Sequence, residues 1–134
     1  MKLDADVRSF LDGPRFAVLG TLNGDGSAHL TVMWYGRRGD EIVVNTTAPR
    51  MKAANIRRDP RVSLLVGQSE RYVRLDGDAR MIASGDAALR DIHDLAVRYD
   101  GEPAAERQTR DVWSTQERVT YTIVVRRVYR YGFD

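Results

Sequence analysis

The chain has 134 residues, of which 43% are hydrophobic and 30% are charged, a composition typical of one globular domain. It contains no cysteine, which excludes disulfide frameworks, iron–sulfur clusters and cysteine-ligated zinc. The formal net charge of +2 argues against wholesale binding to nucleic acid. The start of the chain lacks the pattern of a signal peptide, and no apolar run reaches membrane-spanning length, so we expect a cytoplasmic protein with no membrane partner.

The N-terminal half is predicted to begin with a helix and to continue as a three-stranded antiparallel meander. The helix covers residues 4–11 and ends before Gly13 and Pro14, which interrupt helical hydrogen bonding. Apolar or alternating runs typical of strands follow it, at residues 16–22, 30–35 and 41–46. The Asn-Gly-Asp-Gly sequence at 23–26 is a strong hairpin signal, and a second turn is expected over residues 36–40.

The C-terminal half is predicted to mix helices and strands. A short helix starts after Thr47 as its N-cap and ends at Asp59, because Pro60 disfavours helical geometry in the residue before it. A second helix follows the capping candidates Ser84 and Asp86. The predicted strands are residues 61–66, residues 72–82 with a bulge or bend at Gly77, and residues 118–131. The polar stretch 100–116 has no clear pattern.

These elements amount to about six antiparallel strands with two main helices between them. Six strands in a chain this short would leave exposed edges unless the sheet curls shut. We therefore predict one mainly β domain over residues 1–134 that forms a small barrel. An open α+β sheet is the alternative.

The start of the first inserted helix carries the most informative residues of the chain. Arg50 and Lys52 fall in its first turn, where unpaired backbone N–H groups and the helix dipole already favour an anion. Residues 50–61 hold five basic side chains and one acidic one. We predict an anion site there, for the phosphate of a cofactor, with both cations facing solvent. Asn55, one turn beyond Lys52, can hydrogen-bond that lysine or the ligand; the alternative is a solvated basic helix face.

Three segments of the chain resemble the flavin- and deazaflavin-binding split barrels of the pyridoxamine 5′-phosphate oxidase superfamily. They read FAVLGTLNGDGSAHLTVMWY, DEIVVNTTAPRMKAANIRRDPRVSLLV and ERVTYTIVVRRVYRYG. The central segment is the most specific: its Arg-x-Lys-x-x-Asn-x-x-Arg-Asp-Pro-Arg pattern over residues 50–61 is similar to the branch that uses coenzyme F420 rather than FMN. The resemblance implies a six-stranded antiparallel split β-barrel and a homodimer with the cofactor site at the subunit interface.

The same resemblance implies a set of cofactor-binding residues. Arg50, Lys52 and Asn55 would meet the phosphate or a glutamate tail. The residues on the strands that flank the tricyclic ring in this family are Thr31, Val32, Asn45 and Thr46. Ordinary sheet packing is the alternative for these four, and Thr46 can instead help to cap the helix.

The function that the resemblance implies is an F420-dependent oxidoreductase, in which reduced deazaflavin donates hydride to an electron-poor unsaturated small molecule. No catalytic side chain is assigned. An FMN-dependent enzyme of the same fold is the first alternative, although Arg50 stands near a position where FMN members usually carry a small residue such as serine. A non-catalytic protein that stores a cofactor, or binds haem or another anion, is the second alternative.

The remaining candidates are aromatic side chains and histidines. Five aromatic residues are candidates for a substrate pocket or a dimer contact, with core packing as the alternative: Trp34, Tyr72, Trp113, Tyr129 and Tyr131. His93 is expected on the exposed side of the second helix and His29 near the pocket. Two histidines without cysteine or an acidic cluster at ligand spacing do not make a metal centre, so no metal site is predicted.

Overall fold

The fold is described from a computed structural model that covers residues 1–133. Within these residues the helices are α1 (Ala5–Asp12), α2 (Met51–Arg58), α3 (Gly85–Asp100) and α4 (Glu102–Asp111), followed by a 3₁₀ turn at Trp113–Thr115. The strands are β1 (Ala17–Leu22), β2 (Ala28–Met33), β3 (Gly36–Arg38), β4 (Glu41–Thr47), β5 (Arg61–Gln68), β6 (Arg71–Ser84) and β7 (Arg118–Tyr131). In this part of the chain, every helix is too short or too polar to cross a lipid bilayer.

The strands form one antiparallel sheet in the order β2-β1-β5-β6-β7-β4-β3. The prediction of a mainly β fold with inserted helices is confirmed. The prediction of six strands that curl shut is wrong, because the structure has seven strands and its sheet stays open. The seventh strand, β3, lies in the segment 36–40 that was expected to be a turn, and it pairs only with β4. The edges of the sheet are β2 and β3, which are not hydrogen-bonded to each other.

One face of the sheet packs on the main core, to which helices α1 and α2 also contribute. Val7, Phe10 and Leu11 of α1 pack into the same core as Ala53 and Ile56 of α2. Burial alternates along β1 and β5, so every second side chain of these strands enters the core. At one edge, β3 is only three residues long, which limits the number of unpaired backbone groups that it exposes.

The long pair β6–β7 contains the irregularity expected at Gly77. The register shifts between Asp76 and Gly77, and a Cβ atom at Gly77 would collide with the backbone carbonyl of Val124. The predicted bulge at this glycine is therefore confirmed, since a side chain does not fit where the two backbones approach most closely.

The insertion between β6 and β7 contains one predicted helix and one that the sequence pattern did not reveal. Helix α3 follows Ser84 as expected. Helix α4 lies in the polar stretch 100–116, and Ala105 is its only buried residue. Because α4 covers so little apolar surface, its sequence lacks the hydrophobic periodicity by which a helix is recognised.

His93 lies between these two helices rather than on an exposed face of α3. Its Nδ1 atom is 3.0 Å from Thr109 Oγ1, and its Nε2 atom is 3.1 Å from Glu102 Oε1. The expectation of an exposed His93 is wrong because it was made without α4, which supplies both contacts.

Candidate functional site

Strand β4 leads through a short turn into helix α2, and this junction forms the centre of the candidate site. The N-cap residue of α2 is Arg50, whose backbone N–H donates to Thr47 O at 3.2 Å. Thr47 is the last residue of β4 and pairs with Arg118 of β7, so its predicted role as N-cap is wrong. The helix begins later than predicted, and Met51 is its first residue.

Lys52 is buried, with only 8% of its surface exposed, whereas Arg50 is exposed. The expectation that both cations face solvent is therefore correct for Arg50 and wrong for Lys52. Burial lowers the pKa of the Lys52 ammonium, and the charges of Arg50 and Arg118 lower it further. Among residues 1–133 no carboxylate pairs with any of these three cations. A buried ammonium without a counter-charge is costly, and a bound anion would remove that cost.

Arg118, at the start of β7, is a third cation that the sequence analysis did not single out. Burial, and to a smaller extent the charge of Arg50, lowers its pKa to about 10. Its Nε donates to Asn45 Oδ1 at 2.9 Å, and its Nη1 donates to Gln116 Oε1 at 2.8 Å. The only sequence signal for Arg118 is a charged residue at the start of a predicted strand. Its proximity to α2 depends on the pairing of β4 with β7, which local pattern does not specify.

Asn55 is completely buried and does not join Lys52. Its Nδ2 atom donates to Thr21 Oγ1 and to Asn23 Oδ1, both at 3.0 Å. Its Oδ1 atom accepts a 2.7 Å hydrogen bond from Arg58 Nη2. The amide thus ties α2 to β1 and to the hairpin turn after it.

The four residues expected near the ring lie on two strands that are separated by four others in the sheet order. Thr31 and Val32, on edge strand β2, point to opposite faces: Val32 is 68% exposed, whereas the Thr31 Oγ1 atom is sealed and has no hydrogen-bond partner among residues 1–133. Asn45 and Thr46, on β4, are both buried. The Asn45 Nδ2 atom donates to Ala88 O and to Thr120 Oγ1, so its amide is fully engaged.

The five aromatic candidates separate into two contacting pairs and one further residue. Trp34 stacks on Tyr99 with ring centroids 5.1 Å apart and meets Trp113 edge-on at 6.2 Å. Tyr72 stacks on Tyr131 at 5.5 Å. The remaining candidate, Tyr129, lies under the Arg74 guanidinium. The five residues therefore do not form one pocket lining.

The geometry around α2 fits an anionic cofactor. The Lys52 side chain is buried, Arg50 is exposed and Arg118 is half-buried. Together they supply N–H donors and positive charge beside a helix start, which is the chemistry that a phosphoryl group requires. In the described part of the chain, no group of three or more histidine or acidic side chains could hold a metal ion.

Comparison with known proteins gives one family and several related structures. Residues 3–122 match the family described as pyridoxamine 5′-phosphate oxidase. A conserved hypothetical protein from Mycobacterium tuberculosis is 31% identical, over 98% of this chain and 85% of its own, with a TM-score of 0.77. An F420 reductase is 24% identical, over 91% and 94% of the two chains, with a TM-score of 0.72. A haem storage protein from Vibrio cholerae is 14% identical, over 99% and 97%, also with a TM-score of 0.72. The last two similarities show a shared fold alone.

Proposed function

Because the chain belongs to the pyridoxamine 5′-phosphate oxidase family, we propose that it is an oxidoreductase that binds coenzyme F420 and reduces an electron-poor unsaturated small molecule. The observation that carries this proposal is the buried side chain of Lys52 at the start of α2, whose ammonium has no counter-charge among residues 1–133. The F420 reductase among the structures of the same fold supports the choice of cofactor. When bound, the deazaflavin supplies the hydride.

The protein's own part is to bind and orient this cofactor. Lys52, Arg50 and Arg118 hold its anionic end, and each charged hydrogen bond contributes about 1.5–3 kcal/mol. Three such bonds supply about 4.5–9 kcal/mol. Micromolar affinity requires about 8 kcal/mol in addition to the cost of the translational and rotational freedom lost on binding, so packing of the ring must supply part of the binding energy. The ring edge is assigned to β2, because this strand lies at an edge of the sheet and has backbone groups with no partner strand.

The proposal includes a homodimer with the cofactor site at the subunit interface. Leu30, Val32 and Leu65 are large apolar residues exposed on the outer face of β2 and β5. Val18 of β1 pairs with both Val32 and Leu65, which makes the apolar surface continuous across the three strands. A second copy of the chain that covers this face would bring cofactor-binding groups of both subunits together.

The test is a fluorescence titration with oxidised F420, in which the wild type should bind with micromolar affinity. Lys52→Met keeps the buried aliphatic stem and removes the charge, so it should weaken binding by about tenfold or more. Arg110→Gln, an exposed residue of α4 that pairs only with the neighbouring Asp111, is the control and should bind like the wild type. Failure of the wild type to respond to F420 would refute the proposed cofactor.

FMN is the second candidate cofactor, because its phosphate would meet the same three cations. A parallel titration with FMN decides between the two, and yellow colour in the purified protein would favour FMN. Binding of haemin without turnover of either cofactor would instead favour the non-catalytic alternative.

A further inference from the structure

The start of β7 is hydrogen-bonded to the segment that leads into α2. Arg118 pairs with Thr47, the last residue of β4, and the Ala48 backbone N–H donates to Glu117 O at 2.8 Å. Directly opposite residues on antiparallel strands have Cβ atoms about 5 Å apart. The Arg118 side chain therefore starts beside the β4–α2 junction, although it is distant from that junction in sequence.

The guanidinium of Arg118 is oriented by neutral groups only. Its Nε and Nη1 atoms donate to the side-chain oxygens of Asn45 and Gln116, and its Nη2 atom has no partner within residues 1–133. Asn45 is itself fixed, because its Nδ2 atom donates to Ala88 O and to Thr120 Oγ1. The arginine thus keeps its whole positive charge and a free N–H edge in one orientation, the arrangement by which arginine binds oxyanions.

We propose that Arg118 is the third cation of the anion site at the start of α2, that the site takes a phosphoryl group, and that Asn45 is a positioning residue that holds Arg118 there. This inference rests on the proposed function for the identity of the cofactor but not for the chemistry of the site. This inference changes the role predicted for Asn45. Both ends of its buried amide hydrogen-bond protein groups, so it orients an arginine instead of contacting the ring. The charge of Arg118 helps to lower the pKa of Lys52, and the charge of Arg50 helps to lower the pKa of both, which supports the proximity of the three cations.

The experiment measures inorganic phosphate binding through the thermal unfolding midpoint, with acetate at equal ionic strength and pH as the reference. The wild type should be stabilised by phosphate, because ligand that binds only the folded state raises its stability. Arg118→Gln should raise the apparent Kd for phosphate by about tenfold or more. Arg118→Lys should recover little of the lost phosphate affinity, since lysine keeps the charge but lacks the planar guanidinium edge. Arg126→Gln, an exposed residue of the same strand, is the matched control.

A double-mutant cycle separates positioning from general support of the fold. If Asn45 acts through Arg118, the double variant Asn45→Ala with Arg118→Gln should bind phosphate no worse than Arg118→Gln alone. Additive losses would refute the positioning role of Asn45. Wild-type protein that gains nothing from phosphate over acetate, or an Arg118→Gln variant that binds phosphate as the wild type does, would overturn the proposal.

Titrating F420 against the same variants keeps this inference distinct from the proposed function. If phosphate binding depends on Arg118 while the wild type ignores F420, the anion site stands and the proposed cofactor fails. If F420 binding is lost in Lys52→Met but unchanged in Arg118→Gln, the proposed function stands and the role of Arg118 fails.

Discussion

The side-chain amide of Asn55 is the main polar link between α2 and the strand beneath it. Replacement by alanine would remove the donor to Thr21 and Asn23 and the acceptor for Arg58. Because Thr21 and Asn55 are buried, we expect Asn55→Ala to lower the free energy of unfolding by about 2–3 kcal/mol, measured by urea denaturation. Under conditions in which the variant is folded, its affinity for F420 should stay near that of the wild type. A large loss of affinity in the folded variant would instead make Asn55 a ligand contact.

The lowered pKa values of Lys52 and Arg118 predict that an anion binds together with protons. A bound anion favours the charged form of each group and raises its pKa, so a proton enters wherever the ligand-free group is partly deprotonated. The pKa of Arg118 is about 10. At pH 10 we therefore expect phosphate binding to add as much as about half a proton to Arg118 from solvent, and at pH 7 almost none.

Calorimetry at pH 10 in two buffers with different enthalpies of ionisation measures this uptake. In Arg118→Gln the contribution of that residue should disappear, and the part that belongs to Lys52 should remain. Phosphate affinity in the wild type should also fall as the pH rises through 10. A binding enthalpy that does not depend on the buffer would show that the two cations are fully charged before the anion arrives.

At the level of elements, Arg98 of α3 caps the C-terminal end of α1. Because it also donates to the backbone of Tyr35, it links the inserted helices to the rest of the fold. Helix α1 has no basic residue in its last turn to meet its unpaired carbonyls. The Arg98 guanidinium donates to the backbone oxygens of Leu11, Asp12, Gly13 and Tyr35. We expect Arg98→Ala to lower the free energy of unfolding by about 2–4 kcal/mol, and Arg98→Lys to recover part of the loss. Arg90→Ala, an exposed site on the same helix, should change it by less than about 0.5 kcal/mol.

The same elements show what sequence pattern can and cannot predict. Strand β7 was predicted over the observed range because its alternation is long, and α3 because its apolar residues keep helical spacing. Helix α4 was missed because almost nothing on it is buried, and β3 because three residues in a turn-rich segment carry no period. Both misses have the same cause, since neither element has enough buried or periodic residues for a local pattern to reveal it.

The candidate site shows the same limit of local sequence pattern. Its location at the start of α2 could be inferred, because capping preference and local charge are properties of adjacent residues. The burial of Lys52 and the approach of Arg118 could not, because both depend on how α2 packs on the sheet and on the pairing of β4 with β7. Thr31 and Val32 lie on opposite faces of β2, as the alternation of a strand requires.

At the scale of the whole molecule, the apolar outer face of β2, β1 and β5 supports the proposed dimer. Leu30 and Val32 are 64% and 68% exposed, and Leu65 is 43% exposed. A stable interface buries about 800 Å² on each subunit, which is roughly a tenth of the 7486 Å² surface of this chain. Three neighbouring large side chains can form the centre of such an interface, where most of the binding energy is concentrated.

We expect the wild type to be a dimer at micromolar concentration in sedimentation or light-scattering experiments, with twice the 15.2 kDa mass of the chain. Val32→Lys with Leu65→Lys places two cations in the centre of each apolar face and should give a folded monomer, because burying four unpaired charges costs far more than the contact returns. Val112→Lys, on an exposed residue after α4, is the matched control and should remain a dimer.

If the cofactor site needs both subunits, the monomer should also lose F420 binding while its Lys52 and Arg118 are unchanged. A monomer that binds F420 as tightly as the wild type would place the whole site within one chain, and a wild type that is itself monomeric would leave the exposed face to another partner.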